Sequence, residues 1–157
     1  MNEQGTAAKG TLYLEDLKVG DRFVSAEHAL DTAQIIDFAT RFDPQPFHLD
    51  AEAAKSTFFG GLAASGWHTA AITMRLLVTS GIPLADGIIG SGGQLAWPKP
   101  TRPGDVLHVE AEVLEIVPSR SKPDRGMVSM RCETRNQHGD VVQQFQPKLV
   151  VMRRSSV

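Results

Sequence analysis

Cysteine is almost absent from this chain. Cys132 is the single example in 157 residues, so no internal disulfide is open to it, and its stability must come from packing. An excess of charge of either sign is missing too. Sixteen Lys and Arg stand against eighteen Asp and Glu, scattered along the chain, which leaves no electrostatic footprint for nucleic acid or for a membrane surface. No apolar run approaches the roughly 18 residues of a membrane span. The start Met1-Asn2-Glu3-Gln4-Gly5 has neither the basic nor the apolar region of a secretory signal, and with the lone thiol this sets the expected location as a reducing cytoplasm. No group of His, Cys, Asp and Glu has the spacing of zinc ligands, so no metal is expected. Internal repeats and low-complexity tracts are absent as well.

What is there fits one domain. The expected organisation is a disordered segment over residues 1–10, a single domain over 11–153 and a short tail over 154–157. A turn at 17–21 leads into a first strand over 22–29. Asp31 followed by Gln34 forms a capping-box pattern, with Leu30 and Ile35 as its hydrophobic staple. Ile35, Phe38, Ala39 and Phe42 then recur at i, i+3, i+4 and i+7 as one buried helical face, and Pro44 stops the helix at Asp43. Asp50 is placed to cap a short second helix. Residues 66–80 read as a longer helix, apolar nearly all round, with Trp67, Ala70, Ala71, Met74, Leu77 and Val78 on one stripe; Gly81 and Pro83 end it.

Everything beyond reads as strand. Short strands are expected over 88–92 and 94–97. Leu107, Val109, Ala111 and Val113 alternate with polar neighbours, as do Val128, Met130, Cys132 and Thr134, and residues 137–140 carry a hairpin turn signal. Pro147 in the last strand, 141–152, argues for an edge position or a bulge. A strand, then helices, then hairpin-connected strands is an α+β order, and the architecture it suggests is a hotdog roll: an antiparallel sheet wrapped around one long central helix.

The chemistry concentrates in one stretch. Asp43-Pro44-Gln45-Pro46-Phe47-His48-Leu49-Asp50 holds a carboxylate and an imidazole five residues apart in a proline-stiffened turn, and Phe59-Gly60-Gly61-Leu62-Ala63-Ala64-Ser65-Gly66-Trp67 follows at a helix start. A rigid loop presenting Asp and His suits general acid and base work on a bound water. The first peptide N–H groups of a helix lack internal partners, so the Gly66 amide is a candidate donor to a developing oxyanion, and glycine there leaves room for a ligand to approach the backbone. Bland readings stand beside these: an Asp before proline is common turn chemistry, and His28, His68, His108 and His138 are read as structural.

These two segments, with the later Pro100-Thr101-Arg102-Pro103-Gly104-Asp105, resemble the MaoC-like dehydratases, the group that includes the R-specific enoyl-CoA hydratases. The resemblance runs in order over nearly all of residues 12–152. It implies a hydro-lyase that adds water to a 2-enoyl thioester, with Asp43 and His48 as the dyad and the Gly66 amide binding the thioester carbonyl. It also implies that Gln45, Phe47, Ser65 and Trp67 fall along the substrate pocket. Gln45 stands where these hydratases usually have Asn, and Ser65 where they commonly have His; Met74, with Thr73 beside it, stands where they often carry a hydroxyl residue.

The implied partner is an acyl-CoA or acyl-carrier-protein thioester. Coenzyme A enters as part of the substrate, with no separate cofactor. A homodimer or larger homo-oligomer is expected, with Trp97 and Pro98 closing a pocket along the subunit boundary. Arg120, Lys122 and Arg125 form a basic loop that would meet the coenzyme A phosphates, against the plainer reading of a solvated hairpin tip. Two other functions remain open at this point. A hotdog thioesterase would place its carboxylate on the central helix, and residues 66–80 contain neither Asp nor Glu. A non-catalytic acyl-binding subunit would have no need of both Asp43 and His48.

Overall fold

The computed structural model describes residues 10–155, and its centre is an antiparallel sheet. Its strands are β1 (Arg22–Val24), β2 (His28–Ala29), β3 (Ile89–Ala96), β4 (Val106–Pro118), β5 (Arg125–Arg135) and β6 (Val141–Met152). The order is β1-β4-β5-β6-β3, with β2 also paired to β4. The helices are α1 (Thr32–Phe42), α2 (Pro46–Leu49), α3 (Ala51–Ala54) and α4 (Gly66–Leu76). This is the hotdog architecture, and Arg154, placed by the sequence in the C-terminal tail, is fastened by Asp16 and lies over the Tyr13 ring. No helix among the described residues is long and apolar enough to cross a membrane.

Alternation fixes which face of the sheet is core. Leu107, Val109, Ala111 and Val113 of β4 and Val128, Met130 and Cys132 of β5 are buried, facing Ile72, Leu76 and Leu77 in one cluster. Their neighbours point outward and pair by charge, with Glu112 reaching Arg22 and Arg131, and Arg135 reaching Glu110 and Glu133. Asn136 shapes the β5–β6 turn by accepting from His138 N and Asp140 N, and Gly139 supplies the positive φ of 80°.

Four local expectations give way to tertiary packing. The first strand is two: the Ser25 hydroxyl takes the Val109 N–H at 2.8 Å, and an extra residue enters before β2 resumes pairing. The two strands expected over 88–97 are one, β3, bulged between Gly90 and Gly92. Pro147 sits in interior strand β6, and pairing with β5 is interrupted between Lys148 and Phe145, where proline has no N–H to give. Asp31 does cap α1, accepting from Gln34 N at 2.9 Å, but the Gln34 side chain turns away from the capping box to Ala29 O and the His28 ring.

The central helix departs furthest. Its buried side is His68, Thr69, Ile72, Thr73 and Leu76, rich in polar groups, while Trp67, Ala71 and Val78 of the expected core stripe are exposed. A five-residue wide turn (Leu77–Gly81) completes it, and the chain leaves at Ile82. His68 packs flat against Phe38 of α1, ring centroids 4.5 Å apart at 3°. Burial, with a smaller contribution from the His28 charge, pushes the His68 imidazole down to about 4, so it is neutral in the folded protein at pH 7. An unfolded His68 binds a proton as pH falls below about 6.5, which the folded chain refuses until about 4. Stability therefore drops through that window. Thermal unfolding between pH 7 and 4.5 should show a smaller loss for His68→Phe, which keeps the stack and cannot titrate, than for the parent; equal losses would contradict this.

Candidate active site

Two proline-bounded corners bring the candidate residues together. Asp43 ends α1, its N–H bonded to Ala39 O at 2.9 Å, and Pro44 prevents continuation. Pro46 then starts α2 at its first position, where a missing N–H costs nothing, and His48 lies near its end. This short helix was not foreseen. Residues 61–65 run between α2 and the segment before β4: Ala63 N donates to Phe47 O at 3.1 Å, and Ala64 N donates to Thr101 O at 2.9 Å. Arg102 clamps the same segment with its guanidinium, donating to the carbonyls of Phe59, Gly61 and Leu62. Asp105 in turn accepts from Arg102 N at 2.8 Å, with Gly104 at φ 89° completing the turn.

His48 is buried, and its Nδ1 lies 2.6 Å from Ala63 O. A carbonyl can only accept, so Nδ1 carries the proton and Nε2 is the nitrogen free to exchange one. Nε2 faces Asp43 Oδ2 at 3.3 Å. The Ser65 hydroxyl donates to that same Oδ2 at 2.7 Å, and Gln45 Nε2 donates to Oδ1 at 2.5 Å. Burial works against the Asp43 charge, but the Ser65 and Gln45 hydrogen bonds and the His48 field together outweigh it and hold the carboxyl below the usual carboxylate range. Asp43 is therefore ionised at neutral pH. Ser65 also caps α4, accepting from Trp67 N at 3.2 Å.

A cavity of about 620 Å³ opens on this group. Asp43, Gln45, Phe47, His48, Gly66 and Trp67 all line it, and Ser65 stands behind Asp43. The Gly66 N–H at the head of α4 has no acceptor among the described residues. Glycine is required there for a reason other than the expected one: a Cβ would meet the Trp97 indole at 2.5 Å, so the space beside Gly66 Cα is taken by a ring of the same chain. Trp67 meets that ring edge-on, centroids 5.5 Å apart, at the exposed rim.

Thr69, Thr101 and Arg102 also line the cavity; Thr101 and Arg102 belong to the motif over 100–105 but were given no pocket role from sequence, and Thr69 was not singled out, since the hydrogen bond from Thr69 Oγ1 to Thr101 Oγ1 joins residues 32 apart in the chain, which no local pattern announces. The basic groups at the cavity are Lys99 and Arg102. Arg120, Lys122 and Arg125 lie at the far end of β4, on the order of 40 Å along the strand from Thr101. Arg125 is engaged by Asp124 at 2.9 Å, as the plain hairpin-tip reading has it, and the basic loop is no part of this chain's own cavity.

An ionised carboxylate, an imidazole with one free nitrogen and an unpaired amide around one cavity can move a proton and hold an oxyanion. Comparison with known proteins places this arrangement. Residues 17–136 match the family model described as the MaoC like domain. The MaoC-like dehydratase of Rhodospirillum rubrum is 65% identical, with TM-score 0.92 over 93% of this chain and all of that one. R-hydratase PhaJ1 of Pseudomonas aeruginosa is 29% identical, with TM-score 0.74 over 90% of this chain and 86% of that one. A 3-hydroxybutyryl-CoA dehydratase of Methylorubrum extorquens is 32% identical over 112 residues, 71% of this chain and 69% of that protein. The matched span holds the carboxylate, the imidazole and the helix head together, and the chain belongs to the MaoC-like dehydratase family.

Proposed function

We propose that this protein is an enoyl-thioester hydratase, acting reversibly as a 3-hydroxyacyl-thioester dehydratase, with an acyl-CoA or acyl-carrier-protein ester as substrate. The observation that carries the reading is the 3.3 Å approach of His48 Nε2 to Asp43 Oδ2 beside the unpaired Gly66 N–H. A water held by the dyad gives up one proton to it while its oxygen bonds to Cβ. The π electrons move through Cα to the thioester oxygen, which the Gly66 N–H stabilises at the positive end of α4. The dyad then returns one proton to Cα, so atoms and charge balance and no further cofactor takes part. The R hand of the product is proposed after R-hydratase PhaJ1, and the named substrate of the Methylorubrum relative supports a coenzyme A ester. A reducing cytoplasm suits Cys132, a buried thiol that burial pushes up to about 12.

The active form we propose is a homodimer. Strand β3 is a sheet edge whose residues are almost all exposed, and Trp67 and Ala71 of α4 with Val78 of the turn after it are uncovered apolar side chains, Trp67 meeting Trp97 just past the end of β3. A second copy would cover both. Sedimentation should give twice the chain mass, and Ala71→Arg should shift the protein toward monomer with loss of turnover. A stable monomer with full activity would contradict the dimer.

Hydration of crotonyl-CoA, followed by loss of the enoyl-thioester absorbance, tests the chemistry. Asp43→Asn and His48→Ala should each lower kcat by ~10²- to 10⁴-fold while binding of the ester persists. Unchanged turnover in either variant would end the dyad assignment.

A further inference from the structure

The geometry points to a polar acyl substrate: Thr69 and Thr101 form a hydroxyl pair on the buried wall of the cavity that takes an uncharged oxygen carried near the fourth carbon of the acyl chain. The inference rests on the hydratase reading and names its substrate class. The cavity has one open side and one closed side. Phe58, Pro98 and Lys99 are exposed on the first, where a carrier as bulky as coenzyme A must stay, and Ala64, Thr69 and Thr101 are buried on the second. An ester whose carbonyl oxygen meets the Gly66 N–H therefore turns its acyl chain toward the threonines.

The backbone brings both threonines beside Gly66. Thr69 stands three residues further along α4, on the same face and about 4.5 Å along the helix axis. Thr101 accepts the Ala64 N–H on its carbonyl at 2.9 Å, two residues before Gly66. Their side chains then meet: Thr69 Oγ1 donates to Thr101 Oγ1 at 3.1 Å, with Thr69 1% and Thr101 3% exposed. One proton is left over. Thr101 Oγ1 accepts in that bond, and its own hydroxyl proton has no acceptor among the described residues. Thr73, one turn beyond Thr69 and outside the cavity wall, shows the opposite case: its hydroxyl donates to Thr69 O at 2.8 Å and accepts from Gln143 Nε2 at 2.9 Å.

A buried hydroxyl with an unused proton costs stability without improving the packing, since valine has nearly the same shape and no polar atom. A purely aliphatic acyl chain would leave that proton unmet, whereas an oxygen on the chain accepts it. The Arg102 guanidinium also lines the cavity but is spent on the carbonyls of Phe59, Gly61 and Leu62, so the threonine pair is a neutral site and suits a hydroxyl or carbonyl oxygen. Its reach sets the position. Carbon–carbon bonds of about 1.5 Å laid in a zigzag bring the chain from the thioester carbon to the level of Thr69 in three steps, which places the acceptor on C4.

A pair of isosteric esters provides the test. 4-Hydroxycrotonyl-CoA and 2-pentenoyl-CoA differ by a hydroxyl against a methyl on C4, and wild-type kcat/KM should favour the hydroxylated ester by about tenfold or more. Thr101→Val should bring that ratio close to one, Thr69→Val, which removes the group that orients the Thr101 hydroxyl, should lower it in the same direction, and Thr101→Ser should keep it. The ratio is the readout because threonines that merely pack would move both esters alike. Equal use of the two esters by the wild type, a preference for the pentenoyl ester, or a ratio that survives Thr101→Val overturns the inference. If Thr101→Val does not fold, the same ratio in Thr69→Val decides, lowered in support and unchanged in refutation. If no enoyl ester is hydrated, the hydratase reading fails separately, and calorimetric binding of 4-hydroxybutyryl-CoA against pentanoyl-CoA still decides the polar site: tighter binding of the hydroxylated ester, lost in the valine variant, supports it, and equal binding refutes it.

Discussion

One hydroxyl joins the two halves of the site. Ser65 Oγ donates to Asp43 Oδ2 while accepting the Trp67 N–H, so the carboxylate at the end of α1 and the amides at the head of α4 are held through a single atom. The geometry of every other participant follows. His48 can approach that oxygen only because its Nδ1 is anchored on Ala63, two residues before Ser65, and residues 61–65 are themselves stitched to Thr101 and clamped by Arg102. The sheet supplies the rigid frame from which Thr101 and Arg102 project. A charge at Asp43 survives burial because donors surround it, and the same donors fix its direction.

The interior is more polar than its composition suggests. Gln143, Thr73, Thr69 and Thr134 line the side of α4 that meets the sheet, yet each finds partners, so the network imposes orientation where an apolar core would impose only volume. Its end point is the indole of Trp97. An indole that lines the cavity is in this way positioned by groups that do not themselves line it.

Much of this was legible in the residues. Strand alternation in β4 and β5, the caps at Asp31, Asp50 and Ser65, the stop at Pro44 and the coupling of Asp43 with His48 all rest on local rules with a period or a motif behind them. Other features were not. Trp67, Ala71 and Val78 of the expected core stripe are apolar and exposed, because hydrophobicity marks a surface to be covered without saying whether by the same chain or another. Gln34 abandons its capping box for His28, a competition between partners of similar strength that only the fold decides. Thr69 and Gln143 carry no signature, since single hydroxyls and amides gain meaning from neighbours 30 or more residues away. Gly66 lines the cavity, but the space beside its Cα, expected to be left for a ligand, is occupied by the indole of Trp97.

The central claim is that the Ser65 hydroxyl favours the ionised form of Asp43, the carboxylate proposed to act on water. Its donation favours the charged form, so its removal must raise the Asp43 pKa, and activity that needs the carboxylate must then fail at a higher pH on the acid side. The acid limb of kcat/KM for crotonyl-CoA, compared among wild type, Ser65→Ala and Ser65→Thr, measures this directly. The account predicts a limb shifted to higher pH in the alanine variant and restored toward wild type in the threonine variant. Superimposable acid limbs in all three proteins would contradict it.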